Sequence, residues 1–367
     1  MGGREVARRG EMHIAWVVYG SLEQKTGGTL YDARIVRGLE ESGDVVHVHS
    51  LDPAARAPNA GIKLATEILR DRPDVVVGDE LCFRELAVTF PVLARAGQEP
   101  PIPRVLLVHH LTAWEAELSR NARLRARAAE RFTLRFSDAI VTTSEATRHR
   151  LRGEVKNRTI DVVVPGADRF VHASMCRSSS RAAVRFVFVG AIVPRKRVLT
   201  LVHAFATASK RCATPTELVL VGSTTREPIY AGTIERTIAE LGLGDRIRLL
   251  GERPDEDVAV AIADADVLVL PSSLEGWGIA ATEAIHAGTP VIAARTAGLV
   301  EALSSAEGAT LFADGDRELE DCLARFATDA ELRGSMAECA RRASAELPRW
   351  SESVVQFRRA LLAACGS

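Results

Sequence analysis

Two glutamates near the end of the chain, Glu275 and Glu283, are the clearest candidates for chemistry, with seven residues between them. Glu275 follows a strand-like apolar run, and Gly276 and Gly278 on either side of Trp277 let the backbone approach a ligand closely. Glu283 falls in the second turn of a predicted helix. At ~1.5 Å of rise per residue the two carboxylates lie up to about 12 Å apart, whereas a retaining hydrolase pair needs about 5–5.5 Å. The spacing favours two contacts along one long ligand, with a dipole-stabilised helix acid as the alternative for Glu283.

Two adjacent cations, Arg195 and Lys196, are the second candidate site. In "FVFVGAIVPRKRV", Gly190 ends a predicted strand, and Arg195 and Lys196 then stand at the start of a helix. Positive side chains beside a helix N-terminus suit a diphosphate, because the free backbone N–H groups and the helix dipole also attract an anion. The sequence therefore predicts a diphosphate site here, with a solvated pair of cations as the alternative.

Three more pairs of residues come directly after strand-like runs in the first half of the chain: Gly27 and Gly28, Asp79 and Glu80, and His109 and His110. Ligands of parallel α/β sheets bind beyond the carboxyl ends of the strands, so we expect these pairs near a cleft. The glycines form either a ligand-binding loop or a plain turn, and the acids either line the cleft or cap a helix in solvent. If the strand continues through both histidines, alternation sends them to opposite faces, and at most one is then expected to point into the cleft.

Short β-rich runs alternate with amphipathic helical runs, which predicts parallel sheets covered by helices on both faces. A polar, serine-rich stretch without periodicity, residues 167–183, is typical of an interdomain linker. We therefore predict two doubly wound α/β domains, residues 12–166 and 184–346, and a helix over about 349–364 that packs back on the first domain. A helix is predicted over about 114–136, and its residues 119–136 include six arginines and one glutamate. This composition indicates a solvated face or contact with an anionic lipid or acceptor.

The composition limits the classes of function. The 367 residues are enough for two domains, and 47% hydrophobic with 26% charged residues is typical of a globular protein. A net charge of −1 provides no field that attracts nucleic acid. No apolar run approaches the roughly 20 residues needed to span a bilayer, so we expect at most peripheral membrane contact. Residues 1–11 are interpreted as a loose leader before a first strand that opens at Met12.

Metal and disulfide sites are not predicted. The six cysteines are scattered without a C-x-x-C pair, which is typical of a protein in a reducing cytoplasm. Asp264 and Asp266 form a D-x-D pattern where a helix passes into a strand, and we interpret both as solvated acids instead of Mn²⁺ ligands.

The stretch "EGWGIAATEAIHAGTPVI" resembles the E-x7-E signature of retaining glycosyltransferases of the GT-B fold, in glycosyltransferase family four. "FVFVGAIVPRKRVLTLVHAF" resembles the phosphate-binding strand, loop and helix of that family, and "GGTLYDARIVRGLEESGDVVHV" resembles its N-terminal glycine loop. The resemblance covers nearly all of the chain from Met12 and is most specific in residues 184–303. It implies two Rossmann-like domains that face a central cleft, with an acceptor-binding N-terminal domain and a nucleotide-sugar-binding C-terminal domain.

The resemblance also implies roles for single residues of the second domain. Arg195 and Lys196 would hold the donor diphosphate and stabilise it as it leaves. Glu275 and the backbone of Gly276, Trp277 and Gly278 would bind the donor sugar, Glu283 the ribose, and Arg253 the base. Many members have arginine directly after the strand glycine, but here Ala191 follows Gly190, so that role is expected to pass to Arg195.

In the first domain the resemblance places Gly28 against the donor phosphates and His109 near the transferred sugar. His110 is the rival for that place. Asp79, Glu80 and His110 are candidates for the acceptor side.

The implied activity is transfer of a hexose from a nucleotide-diphosphate sugar (a UDP-sugar, a GDP-sugar or another) to an acceptor hydroxyl, with retention and without a metal or cofactor. The acceptor is a small molecule, a saccharide or a lipid-linked compound. A sugar-nucleotide epimerase of the same architecture and a non-catalytic sugar-nucleotide-binding protein are the alternatives. The sugar, the base, the acceptor and the oligomeric state are left open by the sequence.

Overall fold

A computed structural model describes residues 10–52, 59–155, 158–170 and 182–366. Most of the predicted leader, residues 1–11, and most of the predicted linker, residues 167–183, lie outside the described residues.

Six parallel strands form the first sheet: β1 His13–Tyr19, β2 Val45–Leu51, β3 Val75–Asp79, β4 Arg104–Val108, β5 Ala139–Thr142 and β6 Thr159–Val162. Their order is β2-β1-β3-β4-β5-β6. Five helices cover this sheet: α1 Gly27–Glu41, α2 Ala60–Asp71, α3 Phe83–Arg95, α4 Arg120–Phe136 and α5 Glu145–Leu151. Every residue of β3 is buried, as expected for a valine-rich strand with helices on both faces.

The second sheet also has six parallel strands: β7 Val184–Val189, β8 Thr216–Val221, β9 Ile247–Gly251, β10 Val267–Leu270, β11 Val291–Ala294 and β12 Thr310–Ala313. Their order is β12-β11-β10-β7-β8-β9. Its helices are α6 Val198–Lys210, α7 Pro228–Glu240, α8 Asp255–Ala263, α9 Ile279–His286, α10 Ala297–Ala302, α11 Asp316–Thr328 and α12 Ala330–Ala343. The strand order reverses beside β7 and β10, which is where doubly wound sheets bind ligands.

The last helix, α13 Trp350–Ala364, returns to the first sheet. Its Phe357 ring lies 5.3 Å from the Trp16 ring on β1, and its Trp350 ring lies 5.8 Å from Tyr31 on α1. These residues belong to one apolar core, so the C-terminal helix stabilises the N-terminal domain.

Two helices differ from the sequence-based prediction. Helix α4 begins at Arg120 and not near residue 114, because the Ser119 hydroxyl accepts the Ala122 N–H and caps the helix there. Helix α5 was not predicted, since its seven residues are too short for a periodic pattern.

Two of the α4 arginines form ion pairs on the protein surface. Arg127 and Arg131 both pair with Glu154, while Glu130 is buried under the helix and accepts the Ala113 N–H. No helix among the described residues is long and apolar enough to cross a membrane.

Candidate functional site

A cleft of about 890 Å³ lies between the carboxyl edges of the two sheets. Residues that follow strands of both domains line it, among them Glu80, His109, Gly190 and Glu275. Parallel strands of an α/β sheet place their carboxyl ends at one edge, so residues far apart in sequence meet there.

Lys196 and Glu275 form an ion pair inside this cleft. Lys196 ends a short 3-10 turn, Pro194–Lys196, and its Nζ donates to Glu275 Oε1 at 2.5 Å. Burial lowers the pKa of Lys196, although Glu275 acts in the opposite direction. Burial opposes ionisation of Glu275, yet the cations Lys196 and Arg195 hold its pKa below the usual value. A charged lysine and a charged carboxylate therefore meet at the predicted diphosphate position.

Arg195 reaches across the cleft toward the first domain. Its Nη1 donates to the Leu274 carbonyl at 3.3 Å, and its Nε lies 3.6 Å from Glu115 Oε1. Glu115 also contacts His110 Nε2, at 3.0 Å. Glu115 was not predicted from the sequence, because an acid in an irregular loop carries no pattern of its own.

The backbone of the Gly276–Gly278 loop makes close contacts that exclude larger residues. A Cβ at Gly276 would lie 2.2 Å from the His109 carbonyl oxygen of the other domain. Gly278 has a φ of 100° and no room for a Cβ, which would lie 2.5 Å from Leu299. Trp277 between them is 8% exposed and also lines the cleft. Gly276 thus brings the Glu275 loop against His109, and Gly278 packs the loop on Leu299 of the second domain.

Glu283 lies at the same cleft, in the second turn of α9, and is 1% exposed. Arg169 donates two hydrogen bonds to its carboxylate, at 2.6 and 2.9 Å, and lies 3.5 Å from Asp255. Burial raises the pKa of Glu283, and Arg169 opposes this rise. Arg169 was missed in the sequence because its partner lies 114 residues away.

The condition under which only one histidine of the pair would face the cleft is not met. Strand β4 ends at Val108, so alternation no longer applies, and His109 and His110 both line the cleft. His109 Nε2 lies 3.3 Å from Asp32 Oδ1, and His110 pairs with Glu115. Asp32 was missed because it falls within the amphipathic helix α1, although an acid beside the buried positions of that helix is a usable signal.

Asp79 and Glu80 have different environments. Asp79 is buried beneath the cleft lining, and its Oδ1 accepts the Leu81 N–H at 2.7 Å, so it caps the turn that follows β3. Glu80 lines the cleft, and its Oε2 accepts the His109 N–H at 3.0 Å. Burial raises the pKa of Glu80 well above its usual value.

The remaining predicted residues also lie at the cleft. Gly28 packs on His109, because a Cβ there would lie 3.2 Å from His109 Cδ2. Gly190 lines the cleft after β7, and Arg253 lines it after β9. Lys25 donates to the Arg253 carbonyl at 2.7 Å across the two domains.

Within the part of the chain that the structure describes, two groups of side chains bring potential metal-ligand atoms within 4.8 Å of one another: Asp32, Asp79 and His109, and His47, His49 and Asp71. Sequence spacing did not indicate either group, because each combines residues from different strands and helices.

The two acids of the D-x-D pattern were expected to be solvated, but both have protein partners. Asp264 pairs with the Arg185 guanidinium, and Asp266 accepts the Arg185 backbone N–H at 2.8 Å.

Two family models match the chain. Residues 182–343 match the family described as glycosyl transferases group 1, and residues 44–169 match the family described as glycosyltransferase family 4. The first range spans all strands of the second sheet, and the second range spans β2 to β6 of the first sheet, so each domain has a match of its own.

Curated relatives match part of the chain. The chain is 34% identical over 182 residues to the D-inositol 3-phosphate glycosyltransferase of Corynebacterium efficiens, and the alignment covers 49% of this chain and 43% of that protein. It is 34% identical over 181 residues to the MMP alpha-(1->4)-mannosyltransferase of Mycolicibacterium hassiacum, and this alignment covers 47% of this chain and 43% of that protein. The matched part is thus less than half the length of these relatives.

Solved structures match over the whole fold. Sucrose-phosphate synthase from Thermosynechococcus elongatus has a TM-score of 0.77 at 20% identity and covers 96% of this chain and 100% of its own. Anabaena HepE, solved in complex with UDP and glucose, has a TM-score of 0.74 at 19% identity with the same coverage. The predicted two-domain GT-B fold is therefore confirmed.

Proposed function

The chain belongs to the glycosyltransferases of family four, and on that premise we propose that it moves a sugar from a nucleotide-diphosphate sugar to an acceptor hydroxyl with retention. The observation that carries the proposal is the convergence of Arg195, Lys196, Glu275 and Glu283 with His109 in one interdomain cleft. Such a donor consists of a diphosphate, a ribose with its base, and a sugar. The cleft offers two cations for the diphosphate, one carboxylate each for the ribose and the sugar, and a histidine near the sugar.

The cations supply the charge stabilisation. Lys196 and Arg195 now contact Glu275 and Glu115, and a bound diphosphate would replace these carboxylates as their partner. Two fixed positive charges in a poorly hydrated site stabilise the negative charge that develops on a leaving diphosphate. A metal ion is not required for that task, so we propose a metal-independent reaction.

Two carboxylates, Glu275 and Glu283, would then contact the sugar and the ribose of the donor. Glu275, freed from Lys196, accepts hydrogen bonds from donor-sugar hydroxyls, and Glu283, already oriented by Arg169, accepts them from the ribose. In the reaction the bond between the anomeric carbon and the phosphate oxygen breaks, and the acceptor oxygen bonds to that carbon on the same face. The leaving phosphate oxygen takes the acceptor proton, so no protein base is needed.

The donor base and the acceptor are the finer parts of the proposal. HepE was solved with UDP and glucose, which favours a UDP-hexose as the first donor to test. The relatives named for inositol 3-phosphate and mannosyl transfer favour a hexose donor and a polyol or saccharide acceptor.

The test is a panel of UDP-, GDP-, ADP- and dTDP-hexoses with and without acceptors, followed by liquid chromatography and mass spectrometry. The acceptors are inositol, inositol phosphate, free hexoses and a lipid-linked saccharide, each with and without EDTA. We expect nucleotide diphosphate release that depends on the acceptor and is insensitive to EDTA, and a product with the donor's anomeric configuration by NMR.

Other outcomes contradict the proposal in distinct ways. Donor isomerisation without an acceptor would identify an epimerase, and tight nucleotide binding without either reaction would identify a binding protein. Loss of activity in EDTA would overturn metal independence, and an inverted anomer would overturn retention.

A further inference from the structure

A buried cluster lies directly behind His109, outside the cleft lining. Asp32 on α1 is fully buried, its Oδ1 lies 3.3 Å from His109 Nε2, and its Oδ2 accepts the Trp16 indole N–H at 3.4 Å. Asp79, 1% exposed at the end of β3, brings a carboxylate oxygen within 4.8 Å of ligand atoms of Asp32 and His109. Only His109 of this cluster reaches the cleft, where its side chain is 12% exposed.

Two buried carboxyl groups this close favour one shared proton, because two like charges in a site without water repel each other and a carboxylate has no hydrogen to donate. Asp79 is the better holder of that proton. Asp32 accepts the Trp16 indole N–H and lies within hydrogen-bond reach of His109, which favours its charged form, while burial raises the pKa of both carboxyl groups. With one proton on the pair, Asp79 donates its O–H and Asp32 accepts as a carboxylate.

The ionised carboxylate determines the state of His109. Burial lowers the pKa of His109, so the ring is neutral and carries one N–H. The hydrogen-bond partner of one ring nitrogen fixes which nitrogen holds the proton. Because Asp32 only accepts, the proton sits on Nε2 and the lone pair on Nδ1.

We propose that Asp32 and Asp79 share one proton and thereby hold His109 in the tautomer that offers its Nδ1 lone pair to a hydroxyl of the bound sugar. The identity of the sugar rests on the proposed function, whereas the tautomer does not. Asp32 and Asp79 are positioning residues, since neither lines the cleft.

Two isosteric variants separate this arrangement from a purely structural one. In Asp79→Asn the amide N–H replaces the acid O–H toward Asp32, and the amide oxygen still accepts the Leu81 N–H. In Asp32→Asn the amide N–H₂ must face either the Trp16 N–H or the His109 N–H, and both are donors. His109 resolves this conflict by moving its proton to Nδ1, so Asp32→Asn reverses the tautomer and Asp79→Asn preserves it.

The experiment is long-range ¹H–¹⁵N NMR of the full chain with ¹⁵N-labelled histidine rings, at pH 8 and without substrate. The His109 signals are assigned by their loss in His109→Gln. We expect the Nε2–H tautomer in the wild type and in Asp79→Asn, and the Nδ1–H tautomer in Asp32→Asn. An unchanged tautomer in Asp32→Asn, or a changed one in Asp79→Asn, overturns the proposal.

A second measurement tests whether the cluster instead binds a cation, since its atoms lie within 4.8 Å of one another. Titration with ZnCl₂ should leave the His109 signals in place, because the lone pairs of Asp32 are already used by Trp16, Asp79 and His109. A stoichiometric shift of those signals would overturn the shared-proton arrangement. Failure of the sugar-transfer assay leaves these spectra unaffected, so the two hypotheses fail separately.

Discussion

Arg169 and Glu283 meet at the cleft, through two hydrogen bonds of 2.6 and 2.9 Å. Arg169 follows the last strand of the first sheet, and Glu283 lies on α9 of the second. Both side chains are largely buried, at 9% and 1% exposed. A carboxylate fixed in this way presents its remaining lone pairs in one direction, which suits recognition of a ribose diol.

We expect Glu283→Gln to bind uridine and UDP about tenfold or more weakly, because a hydrogen bond to a charged group contributes about 1.5–3 kcal/mol. It should also lower the free energy of unfolding by about 3–5 kcal/mol, since Arg169 loses its buried partner. Isothermal titration calorimetry and urea unfolding measure the two effects. Asp257→Asn, an exposed acid on α8, is the control. Wild-type affinity in Glu283→Gln contradicts the ribose assignment.

Lys196→Ala should remove the preference for UDP over uridine. The ammonium group is placed to contact the diphosphate but not the nucleoside, so UDP affinity should fall about 10- to 100-fold while uridine affinity stays the same. The control is Arg197→Ala, because Arg197 is the next cation in the chain but pairs with the exposed Asp316. Equal losses for uridine and UDP would place Lys196 outside the diphosphate site.

Glu275→Gln is expected to lower kcat by about 10²–10³-fold, the loss typical of one group that stabilises a transition state. UDP affinity should not fall, because the substitution removes the carboxylate that competes for Lys196. Steady-state kinetics and UDP titration separate the two quantities. A fall in UDP affinity with unchanged kcat would show that Glu275 acts on the nucleotide instead of the sugar.

Gly276→Ala tests the contact between the domains. The added Cβ would lie 2.2 Å from the His109 carbonyl oxygen, which is backbone and cannot turn away. We expect a loss of most transferase activity and a larger radius of gyration by small-angle X-ray scattering. Gly232→Ala on α7 has nothing within 4 Å of its Cβ and should stabilise the chain by about 0.5–1 kcal/mol. Unchanged scattering in Gly276→Ala contradicts the prediction.

The sequence predicted the sheets well because their signals are local. Buried strands such as Val75–Asp79 read as continuous apolar runs, and turn residues separate them from the helices. The candidate residues after strands, such as Glu275 and His109, were found by one rule, that parallel strands present ligand-binding residues at their carboxyl ends.

The residues that orient those candidates could not be found in this way. Arg169 and Asp32 act on partners 114 and 77 residues away, so no local spacing identifies them. The directions of the two histidines could not be predicted for a related reason. Alternation is a property of an extended strand, and β4 ends one residue before His109.

Asp32 should make the stability of the chain depend on pH. Burial raises its pKa from 3.8 to about 7, so between those values the folded chain holds a proton that the unfolded chain has released. The free energy of unfolding contributed by this proton is fully present below about pH 4 and falls as pH rises, at about 1.4 kcal/mol per pH unit. The slope ends above the folded-state pKa, because both states are then ionised.

Asp32→Asn has no proton to release, so its unfolding free energy should fall less steeply than that of the wild type across this window. Urea unfolding at half-unit steps from pH 4.5 to 8, with Asp257→Asn as the exposed control, measures the difference. We expect the control to run parallel to the wild type and the curves of Asp32→Asn and wild type to diverge steadily with pH up to about 7. Parallel curves for Asp32→Asn and the wild type would mean that Asp32 is ionised throughout this range, which contradicts the raised pKa of Asp32.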